Sequence, residues 1–165
     1  MQFGEKVMEQ VERILKRACP SDLKEDVWQM RLAMERGAGE RNLKRGAGGT
    51  VDIEFLVQML QLKHAAKRPE VLQRGTIQSL ETLTELSLLD GDLAQFLIDR
   101  YEFLRRVESG IRLMNTTARH DLPSDSKQLQ RLAFLLNEPS GTSLADEVRQ
   151  TQEKVRERVA KLFEH

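Results

Sequence analysis

Apolar residues recur at helical spacing along nearly the whole chain. Phe3, Val7, Val11, Ile14, Leu15 and Ala18 keep one face until Pro20 stops the run. Ser21 or Asp22 is placed to cap a second helix carrying Leu23, Val27, Met30 and Met34, which Gly37 and Gly39 end. A loop then leads to about Thr50, and a third helix runs from about Val51 to Ala66, before Pro69. Thr76 is the expected cap of a fourth helix with Ile77, Leu80 and Leu83, and Asp90 of the next. That fifth helix is the longest, with Leu93, Phe96, Leu97, Leu104, Val107, Ile111 and Met114 on one face. "TTARHDLPSDS" is a connection, from which Ser124 or Asp125 starts a sixth helix around Leu129, Leu132 and Leu136. "NEPSGTS" breaks it, and a seventh carries Leu144, Val148, Val155, Val159 and Leu162. No stretch alternates long enough for a strand. The pattern predicts an all-α protein, a single helical bundle of about seven helices.

The third helix stands apart. Ile53, Phe55, Leu56, Val57, Met59, Leu60 and Leu62 cover most of its circumference, as expected of a central helix. Its polar residues Glu54, Gln58 and Gln61 form one stripe, which needs either buried partners or a wet cleft. Asp52 and Glu54 sit two apart on a helix and so point away from one another, which argues against a metal pair and for complementing the helix dipole. On the fifth helix "YEFLRRVESGIRLM" offers Arg105, Arg106, Glu108 and Arg112. One of these arginines is expected to reach Glu54 or Asp52. Arg105 or Arg106 holding a shielded Glu54 is the specific expectation, because an unpaired carboxylate on a central helix is costly.

Charge singles out the segment just before that helix. Lys plus Arg and Asp plus Glu number 26 each, so there is no global field to recruit nucleic acid or an anionic membrane. Yet between Arg36 and Gly49 the cations Arg36, Arg41, Lys44 and Arg45 face only Glu40, a local net of +3. Gly46, Gly48 and Gly49 allow positive φ and close backbone approach, and a helix start at about Thr50 to Ile53 presents free N–H groups. These features make a candidate anion site. An ordinary solvated loop has the same composition. It is neither a Walker loop, which needs Gly-Lys-Ser/Thr, nor a dinucleotide fingerprint, which follows a strand.

Other chemistry is missing. The single cysteine, Cys19, excludes an internal disulfide and a multi-cysteine zinc site. Asp90-Gly91-Asp92 reads as a helix cap rather than a metal pair. His64 and His120 lack metal-ligand spacing, His165 is terminal, and no nucleophile–base constellation can be argued. No secretory signal or membrane-length apolar run is present, so a cytoplasmic domain is expected. Met1 falls on the edge of an already amphipathic helix, which suggests a domain of a longer protein. No catalytic residue and no metal ligand is assigned to the chain, and alone it is expected to turn over nothing.

The stretch "NLKRGAGGTVDIEFLVQMLQL" resembles a motif of the bifunctional glutamine synthetase adenylyltransferase/adenylyl-removing enzymes. Lys44, Gly48, Gly49, Asp52, Ile53, Glu54, Phe55 and Gln58 match it, while Thr50 stands where Ile is common. "YEFLRRVE" and Leu122-Pro123 also look like that family, and the similarity runs from about Val27 to the end. The resemblance implies a helical domain that follows a nucleotidyltransferase domain, the latter supplying the metal-binding carboxylates. The implied reaction is ATP-dependent and uses Mg2+: AMP is transferred to a tyrosine of glutamine synthetase and removed by phosphorolysis, under control of the PII signal protein, to regulate nitrogen assimilation. It also implies that Lys44, Gly48, Gly49, Asp52 and Glu54 bind the nucleotide phosphates or line that cleft, with Gln58, Arg105 and Arg106 in support. "GGTVDIEF" and "HAAKRPEV" look closer to the adenylylating half, "LRRVE" to the removing half. Two alternatives remain at this point: a domain of a PII-protein uridylyltransferase, or a non-catalytic helical interaction module.

Overall fold

The computed structural model describes residues 21–115 and 120–164. The first expected helix, Phe3 to Ala18, lies outside the described residues. Within them are six α-helices rather than seven: α1 (Leu23–Glu35), α2 (Thr50–His64), α3 (Thr76–Glu85), α4 (Gly91–Met114), α5 (Ser126–Leu135) and α6 (Gly141–Glu164). One 3₁₀ turn, Pro69–Val71, follows α2. Among the described residues the only β-type pairing is a single antiparallel bridge between Asn42 and Asp121. The class is all-α.

The helices begin where local chemistry allows. Asp90 caps α4 by accepting from the Leu93 N–H at 2.9 Å, and Asp125 caps α5 by accepting from Gln128 N–H at 2.9 Å. Thr76 is not a cap. Gly75 holds that position, and the Thr76 hydroxyl turns instead toward Tyr101. Asp22 stands at the start of α1 without a side-chain capping bond.

Two apolar clusters share two long helices. One gathers Ile53, Leu56, Val57 and Leu60 of α2, Leu80 and Leu83 of α3, Leu97 of α4, and Val155, Val159 and Phe163 of α6. The other gathers Leu43, then Phe103, Leu104, Val107 and Ile111 of α4, Leu132 of α5, and Leu144 and Val148 of α6. α4 and α6 have 24 residues each and cross both clusters. Every fully buried leucine or isoleucine in them contributes about 1.5–3 kcal/mol of transfer free energy. Leu43 belongs to one cluster and Ile53 to the other, so the glycine-rich loop between them spans the seam.

The buried face of α1 differs from the expected one at Met30. Met30 is 60% exposed, and Arg31 beside it is completely buried. α1 is rotated so that the guanidinium, not the thioether, points inward. The reason is the carboxylate that Arg31 meets there.

Candidate functional site

The loop from Asn42 to Gly49 is closed by its own atoms. The Asn42 side-chain oxygen accepts from Lys44 N–H at 3.1 Å and Arg45 N–H at 2.7 Å, an Asx-type turn. Gly46 N–H donates to Asn42 O at 3.1 Å, and Gly49 N–H to Gly46 O at 3.0 Å. The N–H groups of Thr50, Val51 and Asp52 donate to the carbonyls of Leu43, Lys44 and Gly49 at 3.0, 3.1 and 3.0 Å. The expectation of free N–H groups at the start of this helix is therefore corrected for those three residues. The loop folds back so that its carbonyls satisfy the donors a helix start leaves open.

The glycines serve that closure. Gly48 has φ of +70°, and its N–H donates to Asp52 Oδ2 at 2.8 Å. A Cβ on Gly48 would lie 1.8 Å from the Gln152 carbonyl oxygen of α6, and one on Gly49 would lie 2.5 Å from Lys44 O. What approaches these backbones so closely is the protein itself.

Asp52 is the centre of a buried ion network, not a solvated first-turn acid. It is fully buried and accepts from Arg31 Nε, which is also fully buried, and from Arg156 Nη1 of α6 at 3.2 Å. Arg31 Nη2 donates to Gly46 O at 2.7 Å. Glu35 balances the second arginine, with Oε2 2.7 Å from Arg156 Nη2. The Arg156 guanidinium lies over Trp28, which stacks on Phe163. Two cations and two anions thus tie α1, α6 and the start of α2 to the loop. The arginines come from α1 and α6, not from α4 as expected.

Glu54 is half-buried, and the expected arginine partner is corrected. Tyr101 of α4 donates its hydroxyl hydrogen to Glu54 Oε1 at 3.0 Å, and Thr76 Oγ1 lies 3.4 Å from the same hydroxyl. Arg105, one turn on, is claimed by Glu108 at 3.2 Å, and Arg106 by Glu138 beyond α5. Glu108 is completely buried, so it needs that cation, and it also lies 3.2 Å from His120 Nδ1. Burial holds the Tyr101 hydroxyl above its ordinary pKa; the neighbouring Glu54 charge acts in the same direction, and the Thr76 hydrogen bond opposes both. Tyr101 therefore remains a donor across the physiological range. Replacing Tyr101 by Phe is expected to cost about 1 kcal/mol, the worth of one half-buried hydrogen bond. Glu54→Gln keeps an acceptor and is expected to cost less. Thermal denaturation of both variants checks this, and a loss of several kcal/mol for Glu54→Gln would require a cationic partner after all.

The rest of the polar stripe divides. Gln61 Nε2 lies 2.8 Å from Val71 O, 2.9 Å from Gln73 O and 3.1 Å from Ser79 Oγ, so it anchors the turn after α2. Gln58 is exposed. Lys44 is half-buried, and among the described residues its side chain has no hydrogen-bond or ion-pair partner. A cleft of about 440 Å³ opens beside the loop, lined by Arg41, Ala47, Leu122, Val148 and Gln152 among others. Two of its polar side chains are already used: the exposed Arg41 donates to Leu122 O at 2.9 Å and the buried Gln152 to Asn42 O at 3.1 Å. Among the described residues no group of three His, Cys, Asp or Glu could hold a metal ion, and no helix is long and apolar enough to cross a membrane.

Among the residues of this arrangement that escaped the sequence reading are Arg31, Glu35, Tyr101, Gln152 and Arg156. A signal existed for Arg31, which shares the i, i+4, i+7 face with Val27 and Met34. None distinguished Gln152 or Arg156 from the solvated residues around them.

A family model described as GlnD PII-uridylyltransferase matches residues 22–165. The chain is 35% identical, over 78% of its length, to a bifunctional glutamine synthetase adenylyltransferase/adenylyl-removing enzyme of Rhizobium meliloti. It is 34% identical over 94% of its length to the enzyme of that name from Xanthobacter autotrophicus, and 32% identical over 82% to that of Acinetobacter baylyi. It spans only 14–16% of the length of these three relatives. With that match over residues 22–165, the chain belongs to the family described as GlnD PII-uridylyltransferase, and its relatives here are glutamine synthetase adenylyltransferase/adenylyl-removing enzymes.

Proposed function

We propose that this chain is the helical domain of a glutamine synthetase adenylyltransferase/adenylyl-removing enzyme, completing the nucleotide cleft of a nucleotidyltransferase domain elsewhere in the same polypeptide. The supporting observation is the identity of 32–35% to enzymes of that name over 78–94% of the chain, a region that includes the self-braced loop. Glutamine synthetase is then the protein substrate, PII signal protein the regulator and the cytoplasm the compartment. ATP carries the transferred AMP, and Mg2+ supplies charge neutralisation at its phosphates. The donors present here do not fit that metal. Asp52 is spent on two guanidinium groups and Glu54 on Tyr101, so no residue of this chain is assigned to it.

What the chain contributes is a rigid platform. Gly48 and Gly49 donate within the fold, so their part in the cleft is to shape the loop rather than to cradle phosphate. Lys44, the lysine matched in the family motif, is the group on that loop we assign to bring positive charge to a transferring phosphate, with the exposed Arg45 beside it as a second cation. Glu54 and Gln58 of α2, with Tyr101 on Glu54, are assigned to line the cleft, and Arg105 and Arg106, which pair with Glu108 and Glu138, to support it. In the full-length enzyme Lys44→Ala is expected to lower kcat by about 10²-fold, the scale of one preorganised electrostatic contact. Melting should barely move, since a loop lysine of this kind contributes within ~0.5 kcal/mol. Unchanged kinetics would return Lys44 to the role of a solvated loop residue.

The family match favours one second reading, the same chemistry with uridylyl transfer to PII. Incubating the full-length enzyme separately with glutamine synthetase plus ATP and with PII plus UTP decides between them by which protein gains mass.

A further inference from the structure

We propose that Gln152 and Arg156, one turn apart on α6, are positioning residues for Lys44. The inference rests on the reading of Lys44 given above. Gln152 is 9% exposed, and its Nε2 donates to Asn42 O at 3.1 Å. Asn42 is the residue whose side-chain oxygen holds the N–H groups of Lys44 and Arg45. The Gln152 backbone carbonyl fills the space against Gly48 where a Cβ would sit. Arg156 then reaches Asp52 Oδ2 at 3.2 Å, the same oxygen that accepts the Gly48 N–H at 2.8 Å. Both turns of the loop, the one at Asn42 and the one at Gly48, are thus gripped by two residues on one face of α6.

Neither contact is forced by charge balance. Gln152 lies along the edge of the stripe that Leu144, Val148, Val155 and Val159 form on α6, and Arg156 stands one turn on beside it, so both are turned to the loop where an apolar side chain would serve the core as well. Asp52 already has a buried cation in Arg31, so Arg156 is not needed to neutralise it; its fork bridges two carboxylates, with Nη1 3.4 and 3.2 Å from the Asp52 oxygens and Nη2 2.7 Å from Glu35, and so fixes how the Asp52 carboxylate faces Gly48. Asn42 O still accepts from Gly46 N–H at 3.1 Å without Gln152, so losing the amide leaves no orphaned carbonyl. What is lost is the fixed angle of the Asn42 turn, and with it the direction in which Lys44 leaves the backbone.

The test is a double-mutant cycle in the full-length enzyme, with Gln152→Leu, Lys44→Ala and the pair, reading kcat at saturating nucleotide. Gln152→Leu should lower kcat by about tenfold in the Lys44 background, and by less than twofold when Lys44 is already alanine. A residue that only supports the fold would cost the same factor in both backgrounds, and that result overturns the proposal. So does full activity of Gln152→Leu. A fully active Lys44→Ala overturns the reading of Lys44 itself, and this inference with it; an impaired Lys44→Ala with additive Gln152→Leu overturns this inference alone. If Gln152→Leu does not fold, Arg156→Lys runs the same cycle, because it keeps the charge and loses the fork.

Discussion

Replacing Asp52 by asparagine is expected to cost the domain about 3–5 kcal/mol, the penalty for removing one partner of a buried ion pair. The carboxylate is fully buried between Arg31, also fully buried, and Arg156. Asparagine would leave the Arg31 charge in the interior facing a neutral amide, where Glu35 is the remaining anion, 3.4 Å from Nη1. The Gly48 N–H would lose its charged acceptor as well. For a chain of 165 residues this corresponds to a fall in melting temperature of roughly 6–20 °C. A first-turn acid that merely complements the helix dipole would cost only about 0.3–1 kcal/mol. Urea denaturation separates the two: a loss below about 1 kcal/mol would mean that the network is solvated.

Gly48→Ala is the second large effect, expected at about 2–5 kcal/mol. A φ of +70° costs an L-residue about 1–2 kcal/mol. The new methyl would also overlap the Gln152 carbonyl oxygen, 1.8 Å away, and its carbonyl carbon, 2.5 Å away. Backbone in mid-helix cannot swing aside as a side chain can, so relief requires α6 to move off the loop, and overpacking of this kind adds about 1–3 kcal/mol. Gly39 is the control, since a Cβ there meets nothing within 4 Å. Gly39→Ala should be neutral or slightly stabilising. Equal melting temperatures for the two variants would contradict the close approach of α6.

The helices were legible because burial imposes a period that neighbouring residues carry. Asp90 could be picked as a cap, and the next one narrowed to Ser124 or Asp125, because capping is local, three residues at most; the structure selects Asp125. Partner choice is not local. Glu54 does meet α4 across the bundle, but through Tyr101, one turn before Arg105. Sequence periodicity says which faces meet and is silent on their register along the axis. Arg31 and Arg156 look like ordinary surface cations because a single buried charge leaves the apolar pattern almost intact. Apart from the Val27–Met34 face that Arg31 shares, only the carboxylate they both meet, at 21 and 104 residues' distance, gives them away. The glycine loop was recognised as unusual for its charge and its glycines, while its demand for close packing against α6 depends on a helix that local sequence cannot place.

That long reach has a bearing on how the domain becomes native. The hydrogen bonds from Gln152 and Arg156 close chain segments of 110 and 104 residues. Helices α2, α3 and α4 can form from local contacts, but the Asn42–Gly49 turn gains these two braces only when α6 docks. Contacts of such sequence separation are costly in chain entropy and form late. During synthesis at about 5–20 residues per second, the loop sequence emerges many seconds before the helix that fixes it. The local turns of the loop can close early, but its two braces are expected among the last contacts to form, and a partly folded chain would carry the Asn42 turn without the grip that fixes Lys44.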